Sequence, residues 1–176
     1  MKAFTLVETL VAVTIVLLAV TGPFQLVKSS LLASYTARDQ MIASTLAEEG
    51  FEYVRSVRDA NYLYVLENPG SNRDWLLGLS ASPNCFTANC TIAPSEATPI
   101  AVCTATCQPL KIHPTSGLYV QAAVVGAETT RFTRTVRLED VDGGRDKVVK
   151  VTVTVSYTSN HTPFTVTVTD YLYNWL

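Results

Sequence analysis

The chain has 176 residues, 48% of them hydrophobic, which suffices for one modest globular core plus an extended element but not for two independent domains. A formal net charge of −2 gives no bulk electrostatic basis for nucleic-acid binding, which needs a basic face or stripe.

In chain order, Met1-Lys2-Ala3 leads into an apolar run from Phe4 onward. As a helix, Phe4 to Val27 would extend roughly 36 Å, enough to cross a hydrocarbon core of about 30 Å. Lys2 favours a cytoplasmic N-terminus. A secretory signal peptide competes with this assignment, but its basic region would be only Met1 to Ala3, and Glu8 interrupts the apolar run almost at once. A lone carboxylate in a membrane segment costs several kcal/mol unless it is neutralised, paired or near the interface. Thr9, Val11 and Ala12 offer no charge within a turn of Glu8, so its partner is expected outside this helix. The competing interpretation is a carboxylate snorkelling to the interface at a helix end.

The segment Lys2-Ala3-Phe4-Thr5-Leu6-Val7-Glu8-Thr9-Leu10-Val11-Ala12 resembles the class III signal of type IV pilins and type II secretion pseudopilins. The resemblance implies cleavage by a prepilin peptidase between Ala3 and Phe4 and N-methylation of Phe4. It also implies pairing of Glu8, fifth in the mature chain, with the terminal amine of a neighbouring subunit. The family usually carries Gly before the cut, where this chain has Ala3. Such a contact relieves two costs at once, because the buried carboxylate and the buried amine are each expensive alone.

Gly22-Pro23 predicts a kink or local melting of the helix without ending it. Beyond it, Val27, Leu31, Tyr35, Ile42, Leu46, Tyr53 and Val57 recur at helical spacing among charged residues, which predicts an amphipathic half over 28–60. A helix from Phe4 to Ala60 would be roughly 85 Å long, so the apolar half is expected to protrude from a head of this size.

Residues 61–117 are punctuated by Pro69, Pro83, Pro94, Pro99, Pro109 and Pro114 and predict a loop-rich layer. Cys85, Cys90, Cys103 and Cys107 all fall here, and an even cluster in loop-like sequence indicates disulfide stapling in an oxidising compartment. The spacings suggest two local bridges, although four cysteines allow three connectivities. A structural zinc site is the rival, disfavoured by spacings that depart from paired C-x2-C. Thiol catalysis has only His113 and His161 as imidazole partners, and neither sits in a recognisable motif.

Over 118–176 the period changes to two. Val149, Val151, Val153, Val155 and Tyr157 alternate with Lys150, Thr152, Thr154, Ser156 and Thr158, the pattern of a half-buried antiparallel strand. Phe164 to Thr169 repeats it after the connection Ser159 to Pro163, Arg131 to Val141 precedes it through Asp142-Gly143-Gly144-Arg145, and Leu118 to Val125 is a candidate fourth strand of the same meander. Its valine face is expected to lie on the amphipathic half-helix. Asp140, Asp142 and Asp146 with Gly143 and Gly144 suggest a calcium loop, but the later Glu of that pattern is missing and a solvated turn is favoured. Asn89-Cys90-Thr91 and Asn160-His161-Thr162 match the glycosylation acceptor and are assigned no role. The aromatic tail Tyr171 to Leu176 is expected to pack at the core edge.

These expectations combine into an α+β fold, with a leader at 1–3, a membrane or filament-core half-helix at 4–27, an amphipathic half at 28–60, a stapled region at 61–117 and a sheet at 118–176. The resemblance implies a filament subunit, and the residues themselves point to no catalysis, no cofactor and no metal. Its partners would be other pilin subunits, the prepilin peptidase and methyltransferase, and the inner-membrane assembly machinery. It would be single-pass in the cytoplasmic membrane before assembly and extracellular after it. A secretion pseudopilin is the alternative within the family, and a bitopic membrane protein with a binding ectodomain is the alternative outside it.

Overall fold

The computed structural model describes residues 5–81, 84–121, 124–141, 143 and 147–174. The fold is α+β: helix α1 (Leu6–Glu67) and two antiparallel sheets. The chain forms two compact units, Met1–Asp39 and Gln40–Leu176.

In the first unit α1 begins after Thr5, whose hydroxyl accepts from the Glu8 backbone N–H at 3.3 Å and whose carbonyl accepts from Thr9 N at 3.3 Å. This is an N-cap, and it satisfies donors that a helix start otherwise leaves open. The helix assignment is unbroken through Gly22 and Pro23, so local melting does not occur there. All residues from Thr5 to Tyr35 are exposed.

In the second unit α1 continues to Glu67, past the expected end near Ala60, so residues 61–67 are helical and not part of a loop-rich layer. It stops where Asn68 bonds back to the Tyr64 carbonyl through both its backbone and its side-chain nitrogen, and Pro69-Gly70 follows with Gly70 at φ 94°. Asn61 is buried and fully engaged: its amide donates to the carbonyls of Trp75 and Leu77, and its oxygen accepts from Arg73 Nε. Those bonds hold the turn that carries core residues Trp75, Leu76 and Leu79.

The five-stranded sheet has the order β2 (Ile100–Val102), β1 (Cys90–Ile92), β6 (Thr133–Asp140), β7 (Val148–Ser159), β8 (Thr162–Tyr173). The smaller sheet has the order β4 (Tyr119–Val120), β3 (Lys111–Ile112), β5 (Glu128–Thr129). Val149, Val151, Val153, Val155 and Tyr157 of β7 are buried, as alternation requires, and join Val136 and Leu138 of β6 in one core with Ala43, Leu46, Ala47, Phe51 and Val54 of α1. Leu172 of the tail belongs to this core, while Tyr171 and Tyr173 are exposed; Trp175 and Leu176 lie outside the described residues.

Two details of the expected meander differ. Residues Tyr119–Val120 pair in the small sheet, and the fourth neighbour in the large one is β1, drawn from the Pro-rich region. Short strands of this kind lack the length to show a period. The β7–β8 connection is a two-residue turn, Asn160-His161, with φ 49° and 65°, and Pro163 lies inside the edge strand β8 opposite Thr158. A row of rings, Tyr119, Phe132, Tyr157 and Phe164, with successive centroids 6.5, 5.3 and 5.5 Å apart, links the small sheet to β7 and β8.

Candidate assembly surface

In the first unit, Leu6 to Val27 form a helix surface with no cover, its large side chains about half exposed or more, from Val11 at 49% to Leu6 at 79%. This helix is long and apolar enough to cross a membrane. Its threonines do not present free hydroxyls, because Thr9, Thr14 and Thr21 donate to the carbonyls of Leu6, Val11 and Leu18, three residues back. That internal bonding makes a hydroxyl tolerable in an apolar medium. Pro23 supplies no N–H, which leaves the Ala19 carbonyl without its usual helical donor, and a β-carbon on Gly22 would meet nothing within 4 Å.

Glu8 stands in the first turn, where a carboxylate is favoured by the helix dipole. Its side chain makes no hydrogen bond or ion pair among the described residues. Thr5-Leu6-Val7-Glu8 has the spacing of a capping box, of which only the Thr5 half forms: the Glu8 backbone N–H donates to the Thr5 hydroxyl, and the Glu8 carboxylate makes no reciprocal bond among the described residues. Ala3 and Phe4, the expected cleavage and methylation positions, lie outside the described residues.

In the second unit, the helix face against the sheet is defined by small residues. Ala43, Ala47 and Gly50 are buried at successive turns, with Leu46, Phe51 and Val54 beside them. Ile42, Tyr53 and Val57, the large residues that mark the sequence period, are only partly buried at its margins. Against Gly50 lies Arg134, an inward-facing β6 residue that is completely buried. Its guanidinium donates to the carbonyl of Leu46 at 2.9 Å, to Glu49 at 2.6 Å and to the carbonyl of Ile92. It thereby ties helix, β6 and β1 at one point. Burial pulls its pKa below the usual arginine range, and the hydrogen bond and charge of Glu49 oppose that shift. Composition does not mark Arg134; its sole sequence signal is its place in the period-two register of Val136 and Leu138.

The cysteines form Cys85–Cys90 and Cys103–Cys107, and no free cysteine remains, so neither a zinc-thiolate site nor a reactive thiol is available. Cys85 and Cys90 are fully buried; the Cys85 carbonyl accepts from Leu138 N of β6, and Cys90 opposes Val136. The bridge therefore fixes β1 as a neighbour of β6. Among the described residues no group of three or more His, Cys, Asp or Glu side chains converges as a metal site; Asp142, Gly144 and Asp146 of the suspected calcium loop lie outside them. His113 Nδ1 accepts from the backbone of Thr115 and Ser116 and closes a turn, and His161 occupies the hairpin turn.

Compared with protein-family models, with curated proteins and with solved structures, the chain finds no match.

Proposed function

We propose that this chain is a structural subunit of a type IV pilus-like extracellular filament, major or minor. It is cut between Ala3 and Phe4 by a prepilin peptidase, methylated at Phe4, and assembled by bundling of its N-terminal helices. One observation carries this function: an uncovered apolar helix surface from Leu6 to Val27 with a single unpaired carboxylate, Glu8, in its first turn. In a bilayer that surface is solvated by lipid; outside it the same surface needs other apolar helices as cover. The Phe4 amine of a neighbouring copy supplies the partner that Glu8 lacks within its own chain.

The disulfide-stapled head supports the same function, because both bridges require an oxidising compartment. The subunit is then single-pass in the cytoplasmic membrane, N-terminus inside, before assembly, and it works as a noncatalytic building block whose partners are other subunits and the assembly machinery. A type II secretion pseudopilin uses the same N-terminal chemistry and differs in the length and place of its filament.

Immunogold labelling of the head on intact cells tests this. Labelled filaments that shear from the surface are the expected result. Label confined to the membrane, with no filaments under any growth condition, contradicts it and favours an anchored binding ectodomain.

A further inference from the structure

Strand β8 ends the five-stranded sheet on one side, and among the described residues no strand pairs with its outer edge. Its register with β7 runs without a bulge from Ser159 opposite Thr162 to Val148 opposite Tyr173. A two-residue turn makes its closing pair a hydrogen-bonded one, and just past the far end Asn174 N donates to the Lys147 carbonyl at 2.8 Å. Even-numbered residues of β8 therefore turn their backbone N–H and C=O groups to β7, while Pro163, Thr165, Thr167, Thr169 and Tyr171 turn theirs outward.

This open edge has sharp ends. Pro163 has no N–H to give, and the Tyr171 N–H already donates to Asp170 Oδ1 at 2.8 Å. Between them Thr165, Thr167 and Thr169 are exposed, and their outward backbone groups bond to nothing among the described residues. The devices that usually blunt an edge are absent over this stretch: the strand is 12 residues long, residues 164–169 carry no charge, and no bulge twists them away. On the inner face Phe164, Val166 and Val168 are only partly buried against the core, so apolar surface also runs along the edge.

We infer that β8 pairs antiparallel with β8 of a second copy about a two-fold axis at Thr167, joining two sheets into one. In that register Thr165 faces Thr169 of the second copy and Thr167 faces its own equivalent, each pair exchanging both backbone bonds. Pro163 meets Tyr171 at either end, so the residue without a donor coincides with the one whose donor is taken. Val166 lies against Val168 of the second copy on the inner face and covers its open side, and Asp170 falls opposite Phe164, so no like charges oppose each other. The axis also reverses residues 40–67 of α1, which lie along the sheet through Ala43, Ala47, Phe51 and Val54. Chains that point the same way in one array cannot meet like this, so the contact joins oppositely directed chains. It is a property of the head and stands whether or not the chain assembles into filaments.

The test is disulfide trapping of the full chain in detergent micelles, where an introduced cysteine is the one free thiol because the native four are paired. Hydrogen-bonded partners in an antiparallel pair stand about 5.5 Å apart at Cα, within the span of a disulfide. Mild oxidation is expected to convert Thr167→Cys to a covalent dimer and an equal mixture of Thr165→Cys and Thr169→Cys to a mixed dimer. Thr165→Cys alone, Thr169→Cys alone and Ser156→Cys, on the exposed side of β7, are expected to give about tenfold less. Thr167→Lys added to both chains of the mixture places two ammonium groups on the axis and is expected to abolish the mixed dimer. Trapping that is equal at Ser156→Cys, or a mixed dimer indifferent to Thr167→Lys, overturns the inference. So does a Thr167→Cys chain that stays monomeric, which would leave the edge to a strand of another protein. An unchanged thermal transition of each variant shows that the head remains folded.

Discussion

A β-carbon on Gly50 would stand 3.1 Å from Arg134 Cδ and 3.1 Å from Val153 Cγ1, so the absence of a side chain at Gly50 is what lets the buried guanidinium lie against α1. Gly50→Ala gains about 1 kcal/mol of helix propensity and loses about 1–3 kcal/mol to overpacking. Neither neighbour gives easily, since Arg134 is held by three acceptors and Val153 is in the core. Gly50→Ala is therefore expected to be net destabilising by about 1 kcal/mol, and Gly50→Val by about 3. Urea unfolding of the full chain in detergent measures both, and a stabilised Gly50→Ala would show that the helix–sheet seam is loose.

Arg134→Met keeps the apolar stem but leaves the Ile92 carbonyl without its side-chain donor. A loss of about 2 kcal/mol is expected. Glu49→Gln, at a carboxylate 44% exposed, is expected to cost less than about 1 kcal/mol. The order of the two, read from their unfolding midpoints, separates a role in bridging carbonyls from a role in ion pairing. A larger effect at Glu49 would reverse that assignment.

His161 holds φ 65° in a two-residue hairpin turn after Asn160. Asn-Gly is the favoured pair for such a turn. His161→Gly removes a left-handed cost of about 1–2 kcal/mol and adds back part of it as unfolded-state entropy. A net stabilisation of about 0.5–1 kcal/mol is expected in thermal unfolding, and a drop in stability would indicate that the imidazole has a contact of its own.

Glu139 of β6 and Lys150 of β7 face each other across the strands, with Lys150 Nζ 2.8 Å from Glu139 Oε2. The Lys150 hydrogen bond and charge hold Glu139 below the usual carboxylate range, and Glu139 raises Lys150 in turn. The stabilisation from the depressed carboxyl is present above its unfolded pKa and is lost as pH falls through the folded one. That from the raised amine is present below its unfolded pKa and is lost as pH rises through the folded one. A double-mutant cycle with Glu139→Gln and Lys150→Met is therefore expected to show favourable coupling near neutral pH, none in strong acid or strong alkali, and less in about 1 M salt. Coupling that persists in strong acid would mean that the contact is not ionic.

The order helix then sheet was legible because two periods are written plainly in the chain: the apolar run with helical spacing after it, and the strict Val/Thr alternation of β7. The valines at 149, 151, 153 and 155 lie in the core where alternation puts them. The helix–sheet seam was not legible, since the closest approach is made by Ala43, Ala47 and Gly50, which carry little hydropathy signal. Arg134 was hidden for the opposite reason: a charged residue reads as solvated until its acceptors are known. Strands β1 to β5 are two or three residues long and follow from tertiary pairing and the Cys85–Cys90 bridge, which no local pattern expresses. Of the candidate assembly surface, Glu8 and the apolar run were visible at once, whereas the Thr5 cap and the internally bonded threonines needed coordinates.

The central claim is tested most directly by intact mass and N-terminal peptide mapping of the chain recovered from sheared cell-surface material, compared with a Glu8→Ala variant. A mature chain beginning at methylated Phe4, present in the sheared fraction and lost from it in the variant, is the expected result. A full-length chain confined to membranes and indifferent to Glu8→Ala would contradict the filament-subunit function and leave a membrane-anchored ectodomain.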